Sequence, residues 1–274
     1  MSISTAGQAA TLPWGHVSTL LLFGGWLNMQ AGSVILTWRA DGPVALLESG
    51  SPGPLEVLAL WLALGALWRG SAAGEAGGGG LAGPAAWVFA AGMLLPSTLL
   101  AALLLMGFGG ILAWESRGAA RRGALGMAGL GANLLWLRHG QPAFGGPLID
   151  AEAWATHALL SLAEPGLMRL GHQLRMPGGH GIVILPGCSL GQTLPPAILC
   201  FVLMHQAAPL ARRTLTALAG LLLLLAGLNL LRLGVLAWSP AGYAWGHGLV
   251  GANLFGLAAA MAIQLAADGT GDHA

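Results

Sequence analysis

From Leu215 to Trp238 a single charged residue, Arg232, interrupts an otherwise apolar stretch. The hydrocarbon core of a bilayer is about 30 Å thick and takes about 20 helical residues to cross. In lipid every backbone N–H and C=O must be paired inside the chain, so a segment of this kind is a helix. Composition extends the reading to the whole sequence. Of its 274 residues 55% are hydrophobic and 8% charged, against about 25% charged in soluble domains. The mean hydropathy is +0.73. The expected fold class is all-α: a polytopic helical membrane protein, with residues 1–274 forming one integral membrane domain in the lipid bilayer. The 45 glycines suit close helix–helix contact in lipid. A formal net charge of +1 gives no sign of a nucleic-acid partner.

About eight spans are expected. They run over roughly 17–37, 55–68, two in 84–116, then 123–137, 194–208, 215–238 and 249–266. Residues 84–116 as one helix would be about 50 Å long, well over the bilayer core. Pro96-Ser97-Thr98 in their middle can break a helix, which favours a hairpin of two spans. Residues 1–16 read as a cytoplasmic tail and 41–54 as a Gly/Pro-rich loop. The N-terminal segment carries no basic n-region, so no cleavable signal peptide is expected. Arg117, Arg121 and Arg122 form the most basic loop, and Arg212 and Arg213 mark another. By the positive-inside rule both are cytoplasmic, as are both termini.

Residues 139–187 form the one long region that is not expected to span. Ala155, Leu159, Leu162, Leu170 and Leu174 recur at helical spacing over 151–174. That predicts one or two amphipathic helices on the extracytoplasmic surface, interrupted at Pro165-Gly166. Met176 to Leu185, turning at Pro177-Gly178-Gly179, reads as a small hairpin. It leads into Pro186-Gly187-Cys188-Ser189-Leu190-Gly191, at the mouth of the next apolar run. A helix N-terminus has unpaired N–H groups and the positive end of the dipole, which favour negative charge, a thiolate included. The plainer alternative is a buried cysteine acting as a small apolar residue. Cys200 falls mid-span and reads as a packed thiol. If the two flank one helix they are about 18 Å apart, too far for a disulfide.

Arg232 is an ionisable residue inside a span and so a functional candidate, with snorkelling to the interface as the alternative. Asn229 stands three residues earlier on the same face. The segment 239–246 reads as an extracytoplasmic loop delivering His247 to the last span. Cys188, Arg232 and His247 then converge on one membrane face. They are the parts of a thiol acyl-transfer site: a nucleophile, a proton-handling imidazole and a cation for the oxyanion. His157, His172 and His180 form no compact ligand motif such as His-Glu-x-x-His, so neither a metal nor a cofactor is expected.

Cys188-Ser189 between glycines, Asn229-Leu230-Leu231-Arg232 late in the next span and His247 opening the last together resemble the exosortase/archaeosortase family. The resemblance covers mainly residues 120–266, the expected catalytic core. Many members have Cys-Ser-Gly or Cys-Ala-Gly, whereas here Leu190 intervenes before Gly191. What the resemblance implies is a multi-spanning cysteine protease or transpeptidase of the bacterial inner membrane. Its active site would face the periplasm, with Cys188, Arg232 and His247 catalytic and Asn229 binding substrate. Its partners would be membrane-anchored protein substrates with a C-terminal sorting signal, cut through a thioacyl intermediate, often alongside exopolysaccharide production. The competing reading is a transporter or polysaccharide-export subunit in which Arg232 binds an anionic substrate.

Overall fold

The structure is a computed structural model that describes residues 14–48, 53–77, 80–95, 97–205 and 212–268. The expected tail over 1–16 lies outside these except for its last three residues, as does Pro96.

Eleven α-helices make up most of the described chain: α1 (Trp14–Glu48), α2 (Pro54–Ala72), α3 (Ala82–Gly92), α4 (Thr98–Glu115), α5 (Gly118–Leu135), α6 (Gln141–Phe144), α7 (Gly146–Leu160), α8 (Leu190–Met204), α9 (Arg212–Trp238), α10 (Pro240–His247) and α11 (Leu249–Asp268). Four of them, α2, α4, α9 and α11, are long and apolar enough to cross a membrane. The chain is a helical membrane protein. Many large apolar side chains, such as Trp61, Trp114, Leu223 and Leu265, point outward rather than into the core, as a bilayer requires and water does not.

The hairpin over 84–116 is present. Ser97 caps α4 by accepting from the Leu100 N–H at 3.3 Å. Its first arm, α3, has only 11 residues, about 16 Å of helix, and stops short of a span. The loop expected over 41–54 is helical as far as Glu48, because α1 runs 35 residues without a break. Proline's fixed φ is itself helical, and Gly42-Pro43 does not end the helix.

With so few charged residues, the glutamates have a common structural use. Glu115 accepts from the N–H groups of Leu81 (2.6 Å) and Ala82 (3.2 Å) at the start of α3. Glu75 accepts from Ala119 (2.7 Å) at the start of α5. Glu152 accepts from Leu190 (2.6 Å) at the start of α8. Each carboxylate satisfies orphan donors of another helix and meets the positive end of its dipole. The Glu75 and Glu115 contacts gather the ends of α2 and α4 with the starts of α3 and α5 at one end of the bundle, beside Arg117, Arg121 and Arg122. α5 is packed closely. A side chain at Gly123 would strike the Ala63 carbonyl and Leu67 of α2, and one at Gly131 the Ala102 carbonyl of α4.

At the opposite end the chain departs further from expectation. The helix does not stop at Arg138-His139. It continues through a π turn, Trp136–Gly140, into α6. The amphipathic helix over 151–174 is only partly realised: α7 ends at Leu160 and Leu170 and Leu174 lie in strands. Three short strands, β1 (Met168–Leu170), β2 (Gln173–Arg175) and β3 (Gly181–Val183), form an antiparallel sheet in that order. Pro165-Gly166 follows the helix end, and Gly171, at φ +59°, makes a two-residue turn that no helix contains. The hairpin expected over 176–185 is β2–β3, turning through Gly179 at φ +86°. Leu174 faces Ile182 across it. Both are buried in a small second core with Ile149 and Ala153 of α7 and Leu233, Leu236 and Ala237 of α9. Cys188 belongs to that core. The loop expected over 239–246 is helix α10, capped by Ser239, which accepts from the Gly242 N–H at 3.0 Å.

Candidate active site

Pro186–Cys188 is a single 3-10 turn, and Ser189 is the N-cap of α8, accepting from the Gly191 N–H at 3.2 Å. Cys188 therefore sits just ahead of a helix N-terminus, as the sequence predicts. Its turn is gripped from outside. Gln141 Nε2 donates to the Pro186 carbonyl at 2.7 Å, and Trp136 Nε1 to the Gly191 carbonyl at 2.9 Å. The Leu190 N–H donates to Glu152. The Gly191 carbonyl is free for Trp136 for a definite reason: its intrahelical partner four residues on is Pro195, which has no N–H. Of these two donors Trp136 opens the π turn, a helix defect common at functional sites, and Gln141 follows it directly.

Asn229 and Arg232 stand one turn apart on α9. Asn229 is buried and its Nδ2 donates to Glu152 Oε1 at 3.2 Å. One carboxylate thus ties the first turn of α8 to the face of α9. The Arg232 guanidinium lies over the Phe255 ring of α11, 5.8 Å from its centroid. Its Nε is buried without a hydrogen-bond partner among the described residues. The residue lines a cavity.

His247 ends α10, and its Nε2 lies 3.7 Å from Cys188 Sγ, a sulfur–nitrogen hydrogen-bond distance. The Tyr243 ring packs on the imidazole, with centroids 4.6 Å apart. Tyr243 in turn meets His180, which contacts the Leu236 carbonyl at 3.1 Å. Burial, and after it the charge of Arg232, hold the imidazole below its usual pKa. It is neutral at neutral pH, and with its proton on Nδ1 it offers Nε2 to the thiol.

Cys188, Asn229, Arg232 and His247 line one cavity of about 480 Å³. All four residues singled out from the sequence are brought to it. Its walls are largely apolar, with Leu134, Leu225, Leu228 and Phe255, and Gln192 and Glu56 add polar groups. Chemically the arrangement offers a thiol, a neutral imidazole within reach of it and a cation without a counter-ion among the described residues.

Cys200 and two histidines of the 139–187 region are engaged elsewhere. Cys200 is fully buried and donates to the Leu55 carbonyl at 3.4 Å. His172 pairs with Asp150 at 2.9 Å, and His157 meets the Leu167 carbonyl at 3.2 Å. Among the described residues no three His, Cys, Asp or Glu side chains converge as a metal site would need. Glu152, Gln141, Trp136 and Tyr243 were not singled out by sequence reasoning. Their roles depend on contacts 38 to 55 residues away for the first three, which no local pattern marks. No protein-family model, curated protein or solved structure matches the chain.

Proposed function

We propose that this protein is a membrane-embedded cysteine protease or transpeptidase of the exosortase/archaeosortase type. It cleaves C-terminal sorting signals of membrane-anchored proteins at the extracytoplasmic face of a bacterial inner membrane. Its membrane segments are α1, α2, α4, α5, α8, α9 and α11, with the short α3 entering the bilayer as the other arm of the α3–α4 hairpin. The observation that carries the reading is the 3.7 Å approach of His247 Nε2 to Cys188 Sγ in a cavity shared with Arg232.

In this mechanism His247 takes the thiol proton and Cys188 attacks the scissile carbonyl. Arg232, which has no acidic partner among the described residues, stabilises the oxyanion. The imidazolium then protonates the leaving amine, and a thioacyl enzyme remains. Water or an amine resolves it. Asn229, tied to Glu152, lines the substrate's path.

The test is mass spectrometry of the Cys188 adduct in membranes holding a co-expressed candidate substrate. Cys188→Ala abolishes both adduct and cleavage. His247→Ala and Arg232→Ala each lower the rate on the order of 10²–10³-fold. The Cys188→Ala, His247→Ala double variant is little worse than Cys188→Ala alone, because the residues act as a unit. Wild-type processing by both His247→Ala and Arg232→Ala rules the mechanism out. The unpaired cation also suits a second reading, a transporter for an anionic substrate. That protein keeps its function in Cys188→Ala.

A further inference from the structure

Glu56 differs from the other capping glutamates. Glu75, Glu115 and Glu152 each serve a helix other than their own, whereas Glu56 sits in the first turn of its own helix, α2. It accepts from the Gly53 N–H at 3.2 Å and from Asn133 Nδ2 at 2.6 Å. A carboxylate has about four acceptor positions, so these two bonds leave capacity. Glu56 also lines the cavity that holds Cys188, Arg232 and His247.

The cavity is therefore bipolar. Arg232 lies against Phe255 of α11, and Pro54, two residues before Glu56, lies against the next residue, Gly256. Yet among the described residues the guanidinium and the carboxyl group form no ion pair within 4 Å. A cation and a carboxyl group held apart in an apolar cavity are matched by an occupant that carries an oxyanion and an ammonium, whose charge favours the Glu56 carboxylate. Charge-assisted hydrogen bonds in such surroundings discriminate strongly. An occupant with only an oxyanion satisfies Arg232 and leaves the spare acceptor positions of Glu56 unused.

We infer that Glu56 is the acceptor subsite: it binds a primary amine, as its ammonium, and directs the acyl group to that amine rather than to water. This rests on the thiol acyl-transfer reading above. After acylation of Cys188, the amine held at Glu56 gives up a proton and its lone pair attacks the thioester carbonyl carbon. The C–N bond forms and the C–S bond breaks. Of the two protons that leave nitrogen, one restores the Cys188 thiol and the other passes through His247 to water. The products are an amide and free enzyme, and no redox partner is needed.

The experiment uses the full chain in lipid nanodiscs with the 4-nitrophenyl ester of N-acetylglycine as an activated acyl donor. Intact-mass measurement reads the Cys188 adduct, and product analysis reads the ratio of amide to free acid. One arm supplies soluble glycinamide in phosphatidylcholine discs. The other supplies no soluble amine but includes phosphatidylethanolamine, so the two sources of amine are told apart by product mass. Glu56→Gln keeps the shape and an acceptor oxygen but loses the charge. It lowers the amide-to-acid ratio on the order of tenfold to a hundredfold in whichever arm forms amide, and Glu56→Asp restores part of it. In the wild type N,N-dimethylglycinamide, whose ammonium keeps one N–H but whose tertiary nitrogen forms no stable amide, suppresses amide formation competitively, and this needs no substitution. An adduct that forms with the same ratio in Glu56→Gln, or no competition by the tertiary amine, overturns the subsite alone. Absence of any Cys188 adduct in the wild type overturns the acyl-transfer reading and the subsite with it.

Discussion

Glu152 offers the sharpest test of the architecture, because it can be tested without knowing a substrate. One of its oxygens accepts from the Leu190 N–H at 2.6 Å and from Asn229 Nδ2 at 3.2 Å. Both donors are on buried residues. Glu152→Ala strands the pair, and a buried donor left without a partner costs about 1–3 kcal/mol. The expected loss is about 2–6 kcal/mol, with partial relaxation bringing it toward the lower end. Glu152→Gln keeps an acceptor oxygen at the same place and removes a charge that burial disfavours. Burial pushes the Glu152 carboxyl above its usual pKa, against the opposing bonds from Leu190, Ser189 and Asn229. A folded pKa above the unfolded one means that folding favours the protonated form. The associated stability is present below the unfolded value and is lost as pH rises through the folded one. Above the folded value the Gln variant is therefore at least as stable as the wild type, and it lacks the loss that begins as pH rises past 4.5. The assay is unfolding of the purified protein by dodecyl sulfate in mixed micelles, followed by circular dichroism at several pH values. An unaffected Ala variant, or a Gln variant as damaged as Ala, refutes the assignment of Glu152 as the clamp between α8 and α9.

Other outcomes follow from the site. A membrane-impermeant maleimide on intact cells labels Cys188, which lines the cavity, and not Cys200, which is fully buried; labelling of Cys200 alone reverses the reading. Because His247 is held below its usual pKa, the rate of Cys188 acylation stays on its plateau through neutral pH. It falls only below the ordinary imidazole value of 6.5 as the ring protonates. Arg232→Gln moves that inflection upward but not fully, burial being the larger cause; an unmoved inflection separates the two residues electrostatically. Topology reporters fused after Arg69 and after Arg122 both report the cytoplasm, and opposite reports dismantle the hairpin of α3 and α4.

The parts of this molecule legible in its sequence are those set by local chemistry. Ser97 with a helix-forming run behind it marks the start of α4. Asn229 and Arg232 share a face because three residues make most of a helical turn. Cys188 falls before α8 because Ser189 is a good cap. What was not legible depends on distant partners. Leu170 and Leu174 match a helical period, yet Leu170 lies exposed in β1 and only Leu174 is buried, and the pairing of Leu174 with Ile182 is what makes the segment a strand. The segment 240–247 looks like a loop from its glycines and proline, yet Pro240 at the first helical position and the Ser239 cap are sufficient for α10. Nothing near Glu152 in the chain distinguishes it from Glu164. Its partners are 38 and 77 residues away.

Pro195 has a consequence for how this protein comes together. By lacking an N–H it leaves the Gly191 carbonyl in the first turn of α8 without its intrahelical donor, and Trp136, 55 residues earlier, supplies one. Ribosomal synthesis makes α5 and the π turn first, so the donor is in place before the carbonyl it serves emerges. The position of the Cys188 sulfur is then a property of two segments that meet late, not of the peptide that carries it. A fragment spanning 186–204 alone does not hold the turn, and Pro195→Ala gives α8 a bond of its own that competes with Trp136 for the Gly191 carbonyl. The Cys188 turn is in this sense assembled rather than encoded in place, and the thiol's reactivity toward a maleimide reports whether the two halves of the chain have joined.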